Sequence, residues 1–437
     1  MDIPELTFAS AVRLGGLIRA RQVSSLEVTE AHLRRIHGVN PQLNAVCHLA
    51  EETALQLARN ADAELARGTC RSPLHGVPFT VKDWIEVAEM PCMANEERYR
   101  NHVPTQHATV VERMISAGCV LLGKTTVTDD SPVYGRTNNP YRLEFSPGGS
   151  SSGEAAIIAS GGSPLGLGSD SGGSIRDPSH LCGIVGLRPT TGRIPITGHL
   201  PRINTFVDPR TVIGPMARRV EDLAAALPIL AGIDWQDPSV VPMSIEDWNK
   251  VNLRELRGAF YSHYQGATPS LDGGLIARKA AQYLQDTGLE ISETIPACLG
   301  EAMGITQDYW SRAGSEGLEE QWMPDGDGRM SGVEVERHLF YWDRFRRSLI
   351  AFMKDFDFIL TPVSDYPARA RGSEGGESYC LPYSLVGYPC VVVRAGTSST
   401  GLPVGVQIVA RPWREDVALA IAQRIEAYSG GWQAPFL

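Results

Sequence analysis

The chain has 437 residues, 43% of them hydrophobic and 21% charged, with a formal net charge of −10. That length suits two average domains or one large one, and the composition is that of a globular chain. The acidic balance argues against a nucleic-acid binder, which carries a basic face. No apolar run reaches the ~18 residues of a membrane span, and the opening Met1-Asp2-Ile3-Pro4-Glu5 lacks the apolar core of a signal peptide.

Residues 1–68 read as helical. Ser24-Ser25-Leu26-Glu27-Val28 has the order of a helix start, and Thr53 to Arg67 keeps a helical period that ends at Gly68. From Val77 onward short β-rich runs alternate with helical ones. Phe79–Val81 and Val120–Leu122 read as strands either side of a helical Thr109–Ala117. Ala155 to Ser160 is a short apolar helix. Thr211–Ile213 and Val391–Val393 read as further strands, and Phe356 to Pro362 as another, ended by its proline. The alternation predicts an α/β fold, a sheet with helices on both faces. No internal repeat or low-complexity linker divides the chain.

Eight cysteines are scattered without a C-x-x-C pair. This suits free thiols in a reducing cytoplasm rather than a disulfide or metal framework. Cys119 and Cys182 lie in apolar runs and read as small core residues. No His/Asp/Glu cluster has metal-ligand spacing, so neither metal nor cofactor is expected.

The densest chemistry lies in two blocks. The first is Ser146-Pro147-Gly148-Gly149-Ser150-Ser151-Ser152-Gly153-Glu154. The second is Gly168-Ser169-Asp170-Ser171-Gly172-Gly173-Ser174-Ile175-Arg176. They read as two Gly-rich turns flanking the apolar helix. Glycine lets backbone N–H groups crowd round a reacting atom, and serine supplies a nucleophile. A serine needs a base to take its proton. None of the ten histidines stands in a local signature of a triad base; His180, six residues after Ser174, is the nearest candidate. The other base available is Lys82, at the end of the apolar run Leu74 to Lys82, where burial would lower its pKa and leave a neutral amine.

Two further patterns are misleading. Gly149-Ser150-Ser151-Ser152-Gly153 matches the nucleophile elbow G-x-S-x-G, but a Gly/Ser-rich approach is a poor strand. A Ser-His-Asp hydrolase stays as an alternative. Gly118 to Thr125 fits the P-loop pattern letter for letter. Its middle residues, Cys-Val-Leu-Leu, are themselves an apolar strand, and Asp129-Asp130 follow, which would repel phosphate, so ATP binding is excluded.

The run Pro147 to Arg193 resembles the signature of the amidase signature family. The matching elements are Gly148-Gly149-Ser150-Ser151, Gly168-Ser169-Asp170, Gly172-Gly173-Ser174-Ile175-Arg176 and Cys182-Gly183-Ile184-Val185-Gly186-Leu187-Arg188-Pro189-Thr190. Val81-Lys82-Asp83, Gly123-Lys124-Thr125, Asn138-Asn139-Pro140-Tyr141 and Gly401 to Gln407 extend it. The match covers Leu74 to Gln407 and thins between Leu230 and Ile350. The resemblance implies one large domain, residues 1–437, with a mixed sheet wrapped by helices. It implies cofactor-free hydrolysis of amides, with carbamates (urethanes) or esters open to the same acyl-enzyme chemistry. Ser174 would be the nucleophile, Ser150 a bridging serine at a cis peptide, and Lys82 the base. The N–H groups of Ser171, Gly172, Gly173 and Ser174 would form the oxyanion hole. Asp170 and Arg176 would brace the loops, and Ser151 would join the relay or cap the following helix.

Three positions depart from the family pattern: His107, Asp129 and Asp177. Asp177, next to Arg176, would tune the pocket toward polar or cationic groups. The segment 230–350 is expected to shape the pocket. Its Tyr309, Trp310, Trp322, Met323, Phe340, Tyr341 and Trp342 form either an aromatic wall or helix core, and Met323 to Arg329 reads as a lid. The expected partner is a small-molecule amide, carbamate or ester, with no nucleic acid and no membrane. The oligomeric state is open, a homodimer among the possibilities. The rival readings are an amidase-type subunit of an amidotransferase and a non-catalytic binding protein.

Overall fold

Eleven runs rich in β-branched and small residues pair into one sheet in the computed structural model, which describes residues 3–203, 208–310, 330–366 and 378–437. In chain order they are β1 (Val46–Leu49), β2 (Pro78–Lys82), β3 (Val120–Thr125), β4 (Leu165–Asp170), β5 (Val185–Arg188) and β6 (Val212–Ala217). They continue with β7 (Arg257–Phe260), β8 (Glu290–Glu293), β9 (Phe358–Pro362), β10 (Cys390–Thr397) and β11 (Pro403–Ala410). The spatial order is β1-β3-β2-β4-β6-β5-β10-β11-β9-β7-β8. β2 runs parallel to both β3 and β4, and β9 is parallel to β7; β4–β6, β5–β10 and β10–β11 are antiparallel. The sheet is therefore mixed.

Successive side chains of a strand point to opposite faces, and the core is split accordingly. Leu121, Val406 and Ile408 face one apolar layer, while Val120, Leu122 and Val409 face the other side. Helices Val220–Leu230, Leu271–Asp286 and Glu415–Ser429 cover the first face. Helices Ser152–Ala159 and Leu381–Val386 lie on the second. The result is a single domain with helices on both faces of a large mixed sheet.

Two elements differ from the sequence reading. The N-terminal region is not wholly helical: Asn44, left-handed at φ 48°, ends helix Ser25–Leu43 and turns the chain into β1. The second Gly/Ser block is not all turn, because Gly168, Ser169 and Asp170 lie in β4, which is buried throughout. Glycine weakens a strand unless something approaches its backbone closely. Here a Cβ on Gly166 would collide with the Glu154 carboxyl, and one on Gly168 would sit 2.9 Å from Ser151 Oγ. Both neighbours come from the start of helix Ser152–Ala159, whose eight residues are all buried, so it needs no polar face. The P-loop look-alike ends in β3, a fully buried strand.

In the segment 230–350, Trp342 is core and donates its indole N–H to Leu385 O at 2.7 Å. Phe340 and Tyr341 are exposed, neither wall nor core. Trp322 and the stretch Met323 to Arg329 lie outside the described residues, as does the Trp310 side chain.

Candidate active site

Parallel β2 and β4 are neighbours, so their carboxyl ends reach the same edge of the sheet, the usual place for ligands in α/β sheets. Lys82 is the last residue of β2, and Ser169 and Asp170 are the last two of β4. The Lys82 side-chain nitrogen is fully buried and has three oxygen neighbours: Ser150 Oγ at 2.7 Å, Ser169 Oγ at 3.1 Å and Ser169 O at 3.3 Å. The Trp84 ring lies 4.1 Å from that nitrogen. Burial pushes the Lys82 pKa well below the ordinary amine value, against the pull of the Asp170 and Glu154 carboxyls.

Ser150 follows a cis Gly149–Ser150 peptide. The Gly149 N–H donates to Asp177 Oδ2 at 3.3 Å, and Thr128 N–H to Ser150 O at 3.0 Å. Asp177 is buried and holds this turn from behind. The departure at Asp177 thus acts on the serine turn. His107 accepts the Ala88 N–H at Nδ1 and is a scaffold contact. Ser151 occupies the N-cap position of helix Ser152–Ala159 but makes no capping bond. Its hydroxyl instead donates to Ser169 O at 3.3 Å, the same carbonyl that Lys82 touches. Of its two expected roles, the structure shows the bond within the serine network.

Beyond β4 the chain turns through Ser171–Ile175 into helix Arg176–Leu181. Among the described residues, the N–H groups of Ser171, Gly172, Gly173 and Ser174 find no acceptor in the protein, leaving a row of donors at the sheet edge. Ser174 is half-buried, its carbonyl accepts the Ser151 N–H at 3.2 Å, and its hydroxyl is not hydrogen-bonded among the described residues. The turn is anchored by a buried ion pair. Arg176 Nε and Nη2 each lie 3.0 Å from an oxygen of Asp170, and Asp170 also accepts the Ile175 N–H at 3.1 Å. Burial alone would raise Asp170; the Arg176 charge and hydrogen bonds overcome it and hold the carboxyl at about 2.

The network holds residues that the motifs did not single out. Glu154, fully buried, accepts hydroxyl hydrogen bonds from Thr80 and Thr125, and burial pushes it up to about 8. Ser169 Oγ bridges Lys82 to His199 Nε2 at 3.0 Å. His180, the nearest histidine in sequence, is engaged elsewhere: Gly405 N–H donates to its Nδ1 at 2.8 Å, and its Nε2 donates to Tyr366 O at 2.9 Å. Among the described residues, Cys47, His48 and Asp83 bring potential metal-ligand atoms within 4.8 Å of one another. A cation already sits there, since Lys124 Nζ pairs with Asp83 Oδ1 at 2.7 Å in a fully buried contact.

A cavity of about 360 Å³ opens beside Ser171, walled by Trp84, His199, Pro201, Ile203, Arg210 and Tyr309. Asp208, also in its wall, pairs with Arg210 at 3.0 Å and accepts the Tyr309 hydroxyl at 2.9 Å. Of the aromatic residues expected to line a substrate pocket, Tyr309 lines this cavity.

The family model described as Amidase matches residues 27–322 and 320–419. The chain is 32% identical to a subunit of the glutamyl-tRNA(Gln) amidotransferase of Chloroflexus aggregans, over 95% of this chain and 96% of the relative. It is 31% identical to an acylamidase of Rhodococcus erythropolis, over 98% of this chain and 97% of the relative. Its structure resembles that of 6-aminohexanoate cyclic dimer hydrolase, with a TM-score of 0.83 at 25% identity, over 98% of this chain and 97% of the other. The architecture is that of amide hydrolases. The chain belongs to the amidase family.

Proposed function

We propose that this amidase cleaves the C–N bond of small amides through an acyl-enzyme on Ser174, with Ser150 relaying the proton and Lys82 as base. One observation carries the reading: a fully buried lysine nitrogen 2.7 Å from Ser150 Oγ. A neutral Lys82 accepts the Ser150 proton as Ser150 takes that of Ser174. The Ser174 oxygen attacks the carbonyl carbon, and the oxyanion settles on the N–H groups of Ser171, Gly172, Gly173 and Ser174. The relay run backwards protonates the leaving amine, a step amide cleavage needs. Water then releases the acid along the same path. The Ser174 hydroxyl closes the relay by turning onto Ser150, as catalytic hydrogen bonds commonly tighten only around substrate.

The cavity beside Ser171 suits a compact apolar or aryl group. Carbamates and esters pass through the same acyl-enzyme and belong to the proposed substrate range. The reading extends to a cytoplasmic location, which eight free cysteines suit. Among the described residues no helix is long and apolar enough to cross a membrane. A panel of p-nitroanilides, primary amides, esters and aryl carbamates, run with wild type and Ser174→Ala, tests the reading. Turnover of amides by wild type and silence of the variant are expected; equal rates would end it.

The likeness to one chain of an amidotransferase favours a second reading, a protein that works beside partner subunits. Size-exclusion of protein purified from its native cells separates the two. A free-standing amidase elutes as a monomer or homodimer that is active alone; a component of a complex elutes with other chains and loses turnover without them.

A further inference from the structure

We propose that His199 is a positioning residue of this site: by accepting the Ser169 hydroxyl proton it directs the lone pair of neutral Lys82 at Ser150. The inference rests on the reading of Lys82 as the base, and it follows from a count of donors and acceptors. His199 Nδ1 lies 3.2 Å from Pro201 O. A carbonyl only accepts, so Nδ1 carries the ring proton and Nε2 of the neutral ring is an acceptor. Ser169 Oγ, 3.0 Å from Nε2, therefore donates to His199. Only its lone pairs remain to face Lys82 Nζ, 3.1 Å away.

Lys82 must then donate to Ser169 Oγ, and it donates also to Ser169 O. A neutral amine has two N–H groups and one lone pair. With both N–H groups spent on Ser169, the lone pair points in the remaining direction, toward Ser150 Oγ at 2.7 Å. Were Ser169 free to rotate, its hydroxyl would donate to that lone pair and compete with Ser150 for it. The ring is buried, and chiefly that burial pushes its pKa down to about 3, so the ring stays neutral. The chain holds it there. Leu200 N–H donates to Trp84 O at 2.7 Å and Glu86 N–H to Gly198 O at 2.9 Å, so the residues around His199 are clipped to those that follow Lys82.

Isosteres separate this role from mere support of the loop. Glutamine places an amide oxygen near the Nε2 position and can accept from Ser169. Asparagine places an amide N–H near the Nδ1 position and can only hold Pro201 O. His199→Gln, His199→Asn and His199→Leu are compared in kcat and KM on the best p-nitroanilide and in the rate at which a fluorophosphonate blocks Ser174. The expected result is His199→Gln within about fivefold of wild type, and His199→Asn and His199→Leu down by about 30–100-fold in kcat with KM nearly unchanged. In a Ser169→Ala background, where no hydroxyl remains to orient, His199→Leu is expected to cost less than about threefold more. Rescue by asparagine and not glutamine would overturn the proposal, as would an undiminished cost of His199→Leu in that background. Lys82→Met, measured alongside, keeps the two readings apart. Fluorophosphonate labelling of Lys82→Met near the wild-type rate refutes Lys82 as base and the inference with it. A silent Lys82→Met with an asparagine rescue refutes the His199 role alone.

Discussion

Replacing Arg176 with methionine removes the cation beneath the Ser171–Ile175 turn while keeping a long side chain. In the folded protein Arg176 is fully buried. It spans Asp170, Cys380 O at 2.9 Å, Gln407 Oε1 at 3.0 Å and Ser384 Oγ at 2.6 Å. Breaking a buried pair by removing one partner costs about 3–5 kcal/mol, because the other charge is left buried. The pH dependence fixes the sign. Wild-type Asp170 is held at about 2, below its ordinary 3.8. It contributes roughly 2 kcal/mol of stability that is present above the unfolded value and lost as pH falls toward 2. Without Arg176, burial is opposed only by the Arg188 charge and the Ile175 N–H, so the carboxyl rises, and once above its unfolded value it makes the variant lose stability as pH rises. The gap between the two proteins must therefore widen from pH 5 to pH 7.5. With an unfolding entropy of ~2.1 cal/mol/K per residue, the penalty lowers Tm by about 3–5 °C. Scanning calorimetry of wild type, Arg176→Met and Arg176→Met/Asp170→Asn at both pH values is the assay. The single variant should fall by that amount at pH 7.5, by less at pH 5, and the double variant should recover half or more. A loss under about 1 °C that does not change with pH would refute the argument, since exposed pairs are worth only ~0–1 kcal/mol.

Four further outcomes follow from the same geometry. Ser174→Ala abolishes turnover, and Lys82→Met lowers kcat by at least about 10³-fold while raising Tm, because a buried amine is replaced by an apolar chain; a lowered Tm would contradict the second part. The kcat/KM of wild type rises with pH as Lys82 loses its proton, with a midpoint below the ordinary 10.5 of a lysine; a rate that begins to climb only above pH 10 would exclude a depressed Lys82. Glu154 is raised to about 8 from an ordinary 4.5, so it destabilises the fold progressively as pH rises from 4.5 through 8. Glu154→Gln should match wild type near pH 5 and exceed its Tm at pH 8.5, measured by the same calorimetry.

What could be read from the chain and what could not divide along a physical line. Lys82, Ser150 and Ser174 all sit in short ordered words of sequence; the structure brings Lys82 and Ser150 to 2.7 Å, while Ser174 lies on the adjoining turn and touches the network through its carbonyl, which accepts the Ser151 N–H. The strands Phe79–Val81, Val120–Leu122 and Val391–Val393 were legible from β-branched apolar runs and each extends by one to four residues at one or both ends. β4 was not, because its glycines answer to Glu154 and Ser151 packed against them, a tertiary cause that no window of sequence contains. The resemblance implied that Asp170 and Arg176 act together, yet not that Arg176 is also held by Ser384 and Gln407, more than 200 residues away. The cavity shows the same limit. Its described walls come mostly from residues 84–96 and 199–211, with Tyr309 from the segment where the motifs thin. His199 is the extreme case. No motif surrounds it, and it reaches Ser169 only because Gly198 and Leu200 bond to the backbone just after Lys82. A residue whose role is to orient another's proton needs one contact and no particular neighbours in sequence. Such residues are found by following each hydrogen to its acceptor, which begins where the motif ends.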